Sequence, residues 1–186
     1  VFKDHIIPIG NPRPEFDAVY DGQDAQECIL NNRDCHVQFT EAEEQKGAQL
    51  LLDLGIPQGK EFICFHSRDS RYLDSIVPGY DWTHHDCRDS SIHNYVPAME
   101  KMVERGYYAI RMGVQAQDPL QIDNKQIIDY AYNSTRSDFL DIYLSYKCRF
   151  FLGTNCGLTV APEVFRRPMV YVNWYCLLQV PAFYVQ

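Results

Sequence analysis

Residues 147–173, KCRFFLGTNCGLTVAPEVFRRPMVYVN, read as an apolar strand, a turn of small residues, a short helix and a second strand. A turn built from Gly153, Thr154, Asn155, Cys156 and Gly157 lets backbone N–H groups approach a ligand. The helix that follows points its positive end at the same place. Such a turn suits an anion, a nucleotide diphosphate being the expected one. Pro162 qualifies this, because it removes an early helical hydrogen bond. The helix then starts later, and the Thr154 and Asn155 side chains carry more of the phosphate contact.

Outward from this stretch the same alternation repeats. Thr40 with Glu43 fits a capping box, and EAEEQKGAQLLLDLG sets Ala48, Leu51, Leu52 and Leu54 on an apolar side before Gly55 stops the helix. EFICFH is a short apolar run, as expected of a strand covered on both faces. Ser90 or Ser91 offers an N-cap for a helix carrying Tyr95, Met99, Met102 and Val103, which Gly106 ends before the strand YYAIRMG. QIIDYAY reads as a short strand, and SDFLDIYLSYK as a helix with Phe139, Ile142, Tyr143 and Tyr146 toward the core.

Strands alternating with helices predict an α/β fold over residues 40–178: a doubly wound, mostly parallel, Rossmann-like sheet with its ligand outside the C-terminal strand ends. Residues 1–39 are rich in Pro, Asn, Asp and Gly and are expected to form a linker or the remnant of a preceding domain, with 179–186 as a tail. The start without methionine and the apolar close VPAFYVQ read as those of a fragment.

A chain that is 46% hydrophobic and 23% charged has the material for one core. Its net charge of −8 argues against general affinity for nucleic acid or anionic membrane, so any phosphate must be bound locally. No window approaches the roughly 18 consecutive apolar residues of a spanning helix, and no N-terminal signal is visible. A cytoplasmic protein is expected, with peripheral membrane association left open. The seven cysteines are odd in number and form no C-x-x-C pair, which favours reduced thiols.

The strand-end rule selects the candidate residues. HSRDSR after FICF offers Arg68 to hold a phosphate through two parallel hydrogen bonds, His66 to support it and Arg71 as a second cation. Surface pairing of these arginines with Asp69 or Asp74 is the structural alternative. Gly113 follows AIRM, residues 133–138 follow IIDYAY, and residues 154–157 form the opening turn. A cysteine at a strand-to-helix turn is also similar to a nucleophile elbow, but Gly153 stands three before Cys156 and Gly157 directly after, which is the wrong spacing. His84, His85, Asp86 and Cys87 are adjacent and cannot converge on one ion, so HHDC reads as a solvated loop. Tyr80 and Trp82 read as packing anchors before a base platform.

Together HSRDSRYLD, DCRDSSIHNYVPAMEKMVERGYYAIRMG, DFLDIYLSYKCRFFLGTNCGL and the closing FRRP and MVYVN resemble a group of bacterial glycosyltransferases of the two-domain GT-B type. The H-x-R after the first strand and the F-x-G-T turn are also similar to donor-binding motifs of fucosyltransferases and, more distantly, of heptosyltransferases. The resemblance implies the C-terminal, nucleotide-sugar-binding half of such an enzyme, transferring a sugar to a glycan or other hydroxyl acceptor without a metal or other cofactor. It places Arg68 on the donor diphosphate, His66 behind it, and Thr154, Asn155, Cys156 and Gly157 over the phosphates. Arg111 and Gly113 would line the nucleoside side, Asp138 would read the base or ribose, and Arg68 and Asp69 would be the catalytic pair, Asp69 as the base. Two departures bear on donor identity: Asp69 follows Arg68 where a second arginine or a glycine is common, and Asn155-Cys156 replaces paired serines. A non-catalytic nucleotide-binding module is the alternative reading, and a cysteine-dependent hydrolase using Cys156 a second one.

Overall fold

The computed structural model describes residues 35, 37–114, 116 and 118–173. Five strands, β1 (Phe62–His66), β2 (Tyr108–Arg111), β3 (Ile127–Asp129), β4 (Phe151–Gly153) and β5 (Met169–Tyr171), pair side by side in the order β3-β2-β1-β4-β5. Every pairing among them is parallel. The helices are α1 (Glu41–Asp53), α2 (Arg71–Ile76), α3 (Val96–Glu104), α4 (Asp138–Lys147) and α5 (Val160–Val164). The predicted α/β fold is present. Strands add outward on one side from β1 to β3, and the chain then crosses back to lay β4 and β5 on the other side. The order reverses between β1 and β4, the position where open α/β sheets bind ligands.

The sheet is buried on both faces because its strands are apolar at successive positions. Phe62 and Cys64 join Ile110, Ile128 and Phe151 in one core, under Leu54 at the end of α1 and Leu140, Tyr143 and Leu144 of α4. Ile63 and Phe65, one residue out of phase, join Ala109 and Ile127 under Tyr95 and Met99 at α3. Period-2 alternation into two apolar layers is what a continuous run such as FICF encodes.

Thr40 caps α1 as predicted: its N–H donates to Glu43 Oε2 at 2.8 Å, and Glu43 N–H donates to Thr40 Oγ1 at 3.4 Å. The inward face differs from expectation. Ala48 and Leu52 are exposed, whereas Gly47, Leu50, Leu51 and Leu54 turn inward. Gly47 sets that rotation, because a Cβ there would lie 2.3 Å from the Tyr143 ring of α4. On α4 the expected Ile142 is likewise exposed, and Leu140, Tyr143 and Leu144 fill the core. QIIDYAY is strand only to Asp129, after which Tyr130–Tyr132 make a 3₁₀ turn.

Residues 1–34 and 36 of the expected linker, and the 179–186 tail, lie outside the described residues. Cys35 and Phe39 pack with the domain rather than ahead of it: Cys35 Sγ donates to Val164 O at 3.2 Å, and the Phe39 ring contacts Phe139, Tyr143, Tyr146 and Phe165. Among the described residues no helix is long and apolar enough to cross a membrane.

Candidate functional site

A cavity of about 410 Å³ opens at the C-terminal ends of β1, β2 and β4. Residues 66–69 leave β1 there, 112–114 leave β2, and 156–158 follow β4. Its lining includes the basic His66, Arg68, His85 and Arg88, the acidic Asp69 and Asp141, and the apolar Leu73, Met112, Val114, Ala116 and Leu158. A lining that holds both cationic and apolar side chains suits a ligand that is a phosphate at one end and a ring at the other.

Arg68 is 8% exposed and tightly held. Its backbone N–H donates to Thr154 Oγ1 at 3.0 Å, its Nη1 donates to His85 O at 3.1 Å and pairs with Asp89. Its Nη2 is buried and has no hydrogen-bond partner among the described residues. Burial, with the charge of Arg88 nearby, eases its pKa below the ordinary arginine value. A guanidinium with one nitrogen anchored and another buried without a partner is left unsatisfied, since a buried donor without an acceptor costs roughly 1–3 kcal/mol.

The sequence reads His85 as part of a solvated loop and assigns Arg88 no role. The structure corrects this: Thr83–Arg88 coil into a 3₁₀ segment that turns both into the cavity. Arg88 Nη2 donates to His85 Nδ1 at 2.7 Å, and Arg88 Nη1 donates to Asn155 O at 3.3 Å. Burial and the neighbouring Arg88 hold His85 below its ordinary pKa. Trp82 stacks on His85 and meets the Tyr80 ring at a tilt of 50°, packing this segment as expected of an anchor.

The opening turn is arranged differently from expectation. Thr154 is fully buried, and its hydroxyl accepts the Arg68 N–H instead of facing the cavity. Asn155 offers its carbonyl to Arg88. The helix after the turn, α5, has five residues and is preceded by a 3₁₀ turn, Gly157–Thr159, so no long helix directs its positive end at the site. Gly153 is nonetheless required, because a Cβ there would lie 2.9 Å from the Phe151 ring and 3.1 Å from His66 O.

Cys156 and Gly157 do line the cavity, as do His66 and Gly113. Gly113 has φ +143°, a conformation open to glycine, and stands beside the His66 ring. His66 Nδ1 lies 3.2 Å from Met112 O. Burial pushes the His66 pKa down, but the charge of Cys156, the Met112 carbonyl and Asp69 raise it above its ordinary value. For Cys156, burial pushes the pKa up, while the charge of the neighbouring His66 brings it below the ordinary thiol value. The His66 ring and the Cys156 side chain thus border the same cavity.

Three expected residues stand elsewhere. Arg71 is exposed on the first turn of α2, where its N–H takes Asp69 Oδ1 at 3.1 Å. Arg111 is 2% exposed, pairs with Asp129 at 3.3 Å, donates to Asp118 O and borders a second cavity of about 320 Å³ with Ser67, Ser70 and Ser91. Asp69 lines both cavities. Asp138 points fully into solvent, and one turn later Asp141 reaches the first cavity in its place. Burial raises the Asp141 pKa despite a Tyr130 hydrogen bond and Arg136, and its Oδ1 is buried without a partner among the described residues. Compared with protein-family models, curated proteins and solved structures, the chain matches none.

Proposed function

We propose that this domain binds the donor of a GT-B type glycosyltransferase, a nucleotide-diphosphate sugar whose sugar passes to a hydroxyl acceptor. The parallel sheet alone does not support this, because the same fold hosts many unrelated activities. The observation that carries the reading is the buried Arg68 guanidinium, anchored through Nη1 by Asp89 and His85 and unpaired at Nη2, on the wall of the switch-point cavity. A diphosphate oxygen is the acceptor that nitrogen lacks, and Arg88 and His66 add positive charge beside it.

In transfer, the bond between the sugar carbon and the diphosphate oxygen breaks, and negative charge grows on the departing phosphate. Arg68 and Arg88 stabilise that charge in place, so the reaction runs without a metal. The acceptor hydroxyl gives up its proton as it attacks the sugar carbon. Asp69, at the junction of the two cavities, is the proposed base. The apolar part of the lining takes the nucleoside, and Asp141, not Asp138, supplies the carboxylate that accepts a hydrogen bond from base or ribose. A thermal-shift screen against UDP, GDP, CMP and ADP, with a chelator present, tests donor binding, because a bound nucleotide stabilises by mass action. Release of nucleoside diphosphate only when an acceptor is supplied separates the transferase from a binding module.

The placement of His66 and Cys156 on the same cavity favours one second reading, a hydrolase with Cys156 as nucleophile and His66 as base. Cys156→Ser decides between them. A transferase keeps most of its turnover with serine there, whereas a cysteine hydrolase loses about a thousandfold or more.

A further inference from the structure

The second cavity, of about 320 Å³, has no part in holding the phosphate or the nucleoside. That volume lies at the small end of the roughly 300–1,000 Å³ of ligand pockets, room for a single ring rather than a nucleotide. Ser67 and Asp69, leaving the end of β1, border both cavities and make them neighbours.

Its lining sorts into groups already spent and groups still open. Asp89 pairs with Arg68, and Ser90 Oγ lies 3.1 Å from the Tyr95 hydroxyl. Arg111, 2% exposed, is fixed through Nη1 by Asp129 at 3.3 Å and by the Asp118 carbonyl. A guanidinium has more N–H donors than these anchors use. Ser67 is 7% exposed, and its hydroxyl has no hydrogen bond to a described residue. Ser70 stands before α2 without making a side-chain cap. Ser91 Oγ accepts the His93 N–H at 3.3 Å, which leaves its own proton to donate. Asp69 and the exposed Asp118 add carboxylates, and Ile92 is the apolar member of the lining.

These groups select the ligand by chemistry. A phosphate would meet Asp69 and Asp118 with Arg111 already neutralised by Asp129, so like charge opposes it. An ammonium only donates, which leaves the serine and arginine donors unanswered. The carboxylates do not form a group that could hold a metal ion. A ring of hydroxyls donates to carboxylates and accepts from serines at once.

We infer that the second cavity is a carbohydrate site for one neutral sugar unit, whose hydroxyls donate to Asp69 and Asp118 and accept from Ser67, Ser70 and Ser91. Naming that sugar the acceptor rests on the transfer reading. Its hydroxyl oxygen then bonds the donor carbon, the carbon–diphosphate bond breaks with its electron pair on the departing phosphate, and Asp69 takes the hydroxyl proton.

Saturation-transfer NMR of the native chain with glucose, galactose, mannose and fucose tests the site. At least one of these sugars should bind wild type, and inorganic pyrophosphate should not displace it. Ser70→Phe puts a ring into the cavity without removing a cap, and should abolish the sugar signal while nucleotide binding stays as in wild type. Asp118→Ala, at an exposed position whose backbone carbonyl still meets Arg111, should weaken the sugar about tenfold and decides the matter if Ser70→Phe does not fold. No sugar bound by wild type, displacement by pyrophosphate, or unchanged binding in a folded variant overturns the inference. Wild type that binds a sugar and neither UDP nor GDP would sink the donor reading alone. Wild type that binds a nucleotide and no sugar would sink the carbohydrate site alone.

Discussion

Arg68 and Thr154 divide one task between backbone and side chain. The Thr154 hydroxyl fixes the Arg68 main chain, and Asp89 with the His85 carbonyl fixes one side of the guanidinium, so the remaining nitrogen is presented without freedom to turn away. Thr154→Val keeps the volume but leaves the buried Arg68 N–H without its acceptor. It should lower unfolding stability by about 1–3 kcal/mol in urea titration. Full stability with lost nucleotide binding would instead return the Thr154 side chain to the phosphate. At this scale the sequence showed His66, Arg68, Gly113, Cys156 and Gly157, because each directly follows an apolar run and strand ends share one crevice. It did not show Arg88 or His85, because only the coiling of Thr83–Arg88 brings them in. Nor could it separate Asp138 from Asp141, since that depends on how α4 is rotated about its axis.

That rotation is set between elements. Gly47 lets α1 approach the Tyr143 ring of α4, and Tyr143 in turn donates to Glu44 Oε2 at 3.0 Å while Lys147 donates to Glu44 Oε1 at 2.8 Å. In an ordinary exposed helix Gly→Ala gains up to about 1 kcal/mol. Here the added Cβ would meet the ring at 2.3 Å, so Gly47→Ala should destabilise by about 1–3 kcal/mol, seen as a lower thermal midpoint. A raised midpoint would mean that the two helices can part at no cost. Helices α1 and α3 were legible from caps and stops, Thr40 with Glu43 at the start of one and Gly106 at φ +91° after the other, whereas α2 was not expected. Their inward faces were not, because apolar residues exceed the positions a single stripe can hold, and neighbours decide which of them turn in.

Across the whole molecule, a chain of net charge −8 brings Arg68, Arg88, His66 and His85 to one cavity at the reversal of strand order. The paired His66 and Cys156 make stability depend on pH there. The His66 pKa is raised on folding, so its stabilisation is full at low pH and is lost as pH rises through the folded value. The Cys156 pKa is lowered, so its stabilisation is full at high pH and is lost as pH falls through the folded value. Replacing Cys156 by Ser removes the second contribution, so the stability of wild type over Cys156→Ser should rise as pH rises through the folded Cys156 value in urea unfolding, and a flat difference would mean that folding does not lower that pKa. Topology was readable from alternating runs. The shape of the anion site was not, because a five-residue α5 and an inward Thr154 hydroxyl are consequences of packing.

The central claim is that a buried, unpaired Arg68 nitrogen holds a nucleotide diphosphate. Calorimetric titration of wild type and Arg68→Ala with UDP and GDP tests it most directly, with Arg68→Lys as the variant that keeps a charge opposite Asp89. At least one nucleotide should bind wild type, and both variants should bind it about tenfold or more weakly, since lysine restores the charge but not the forked geometry. Equal affinity in wild type and variants, or no binding of either nucleotide by wild type, would contradict the account.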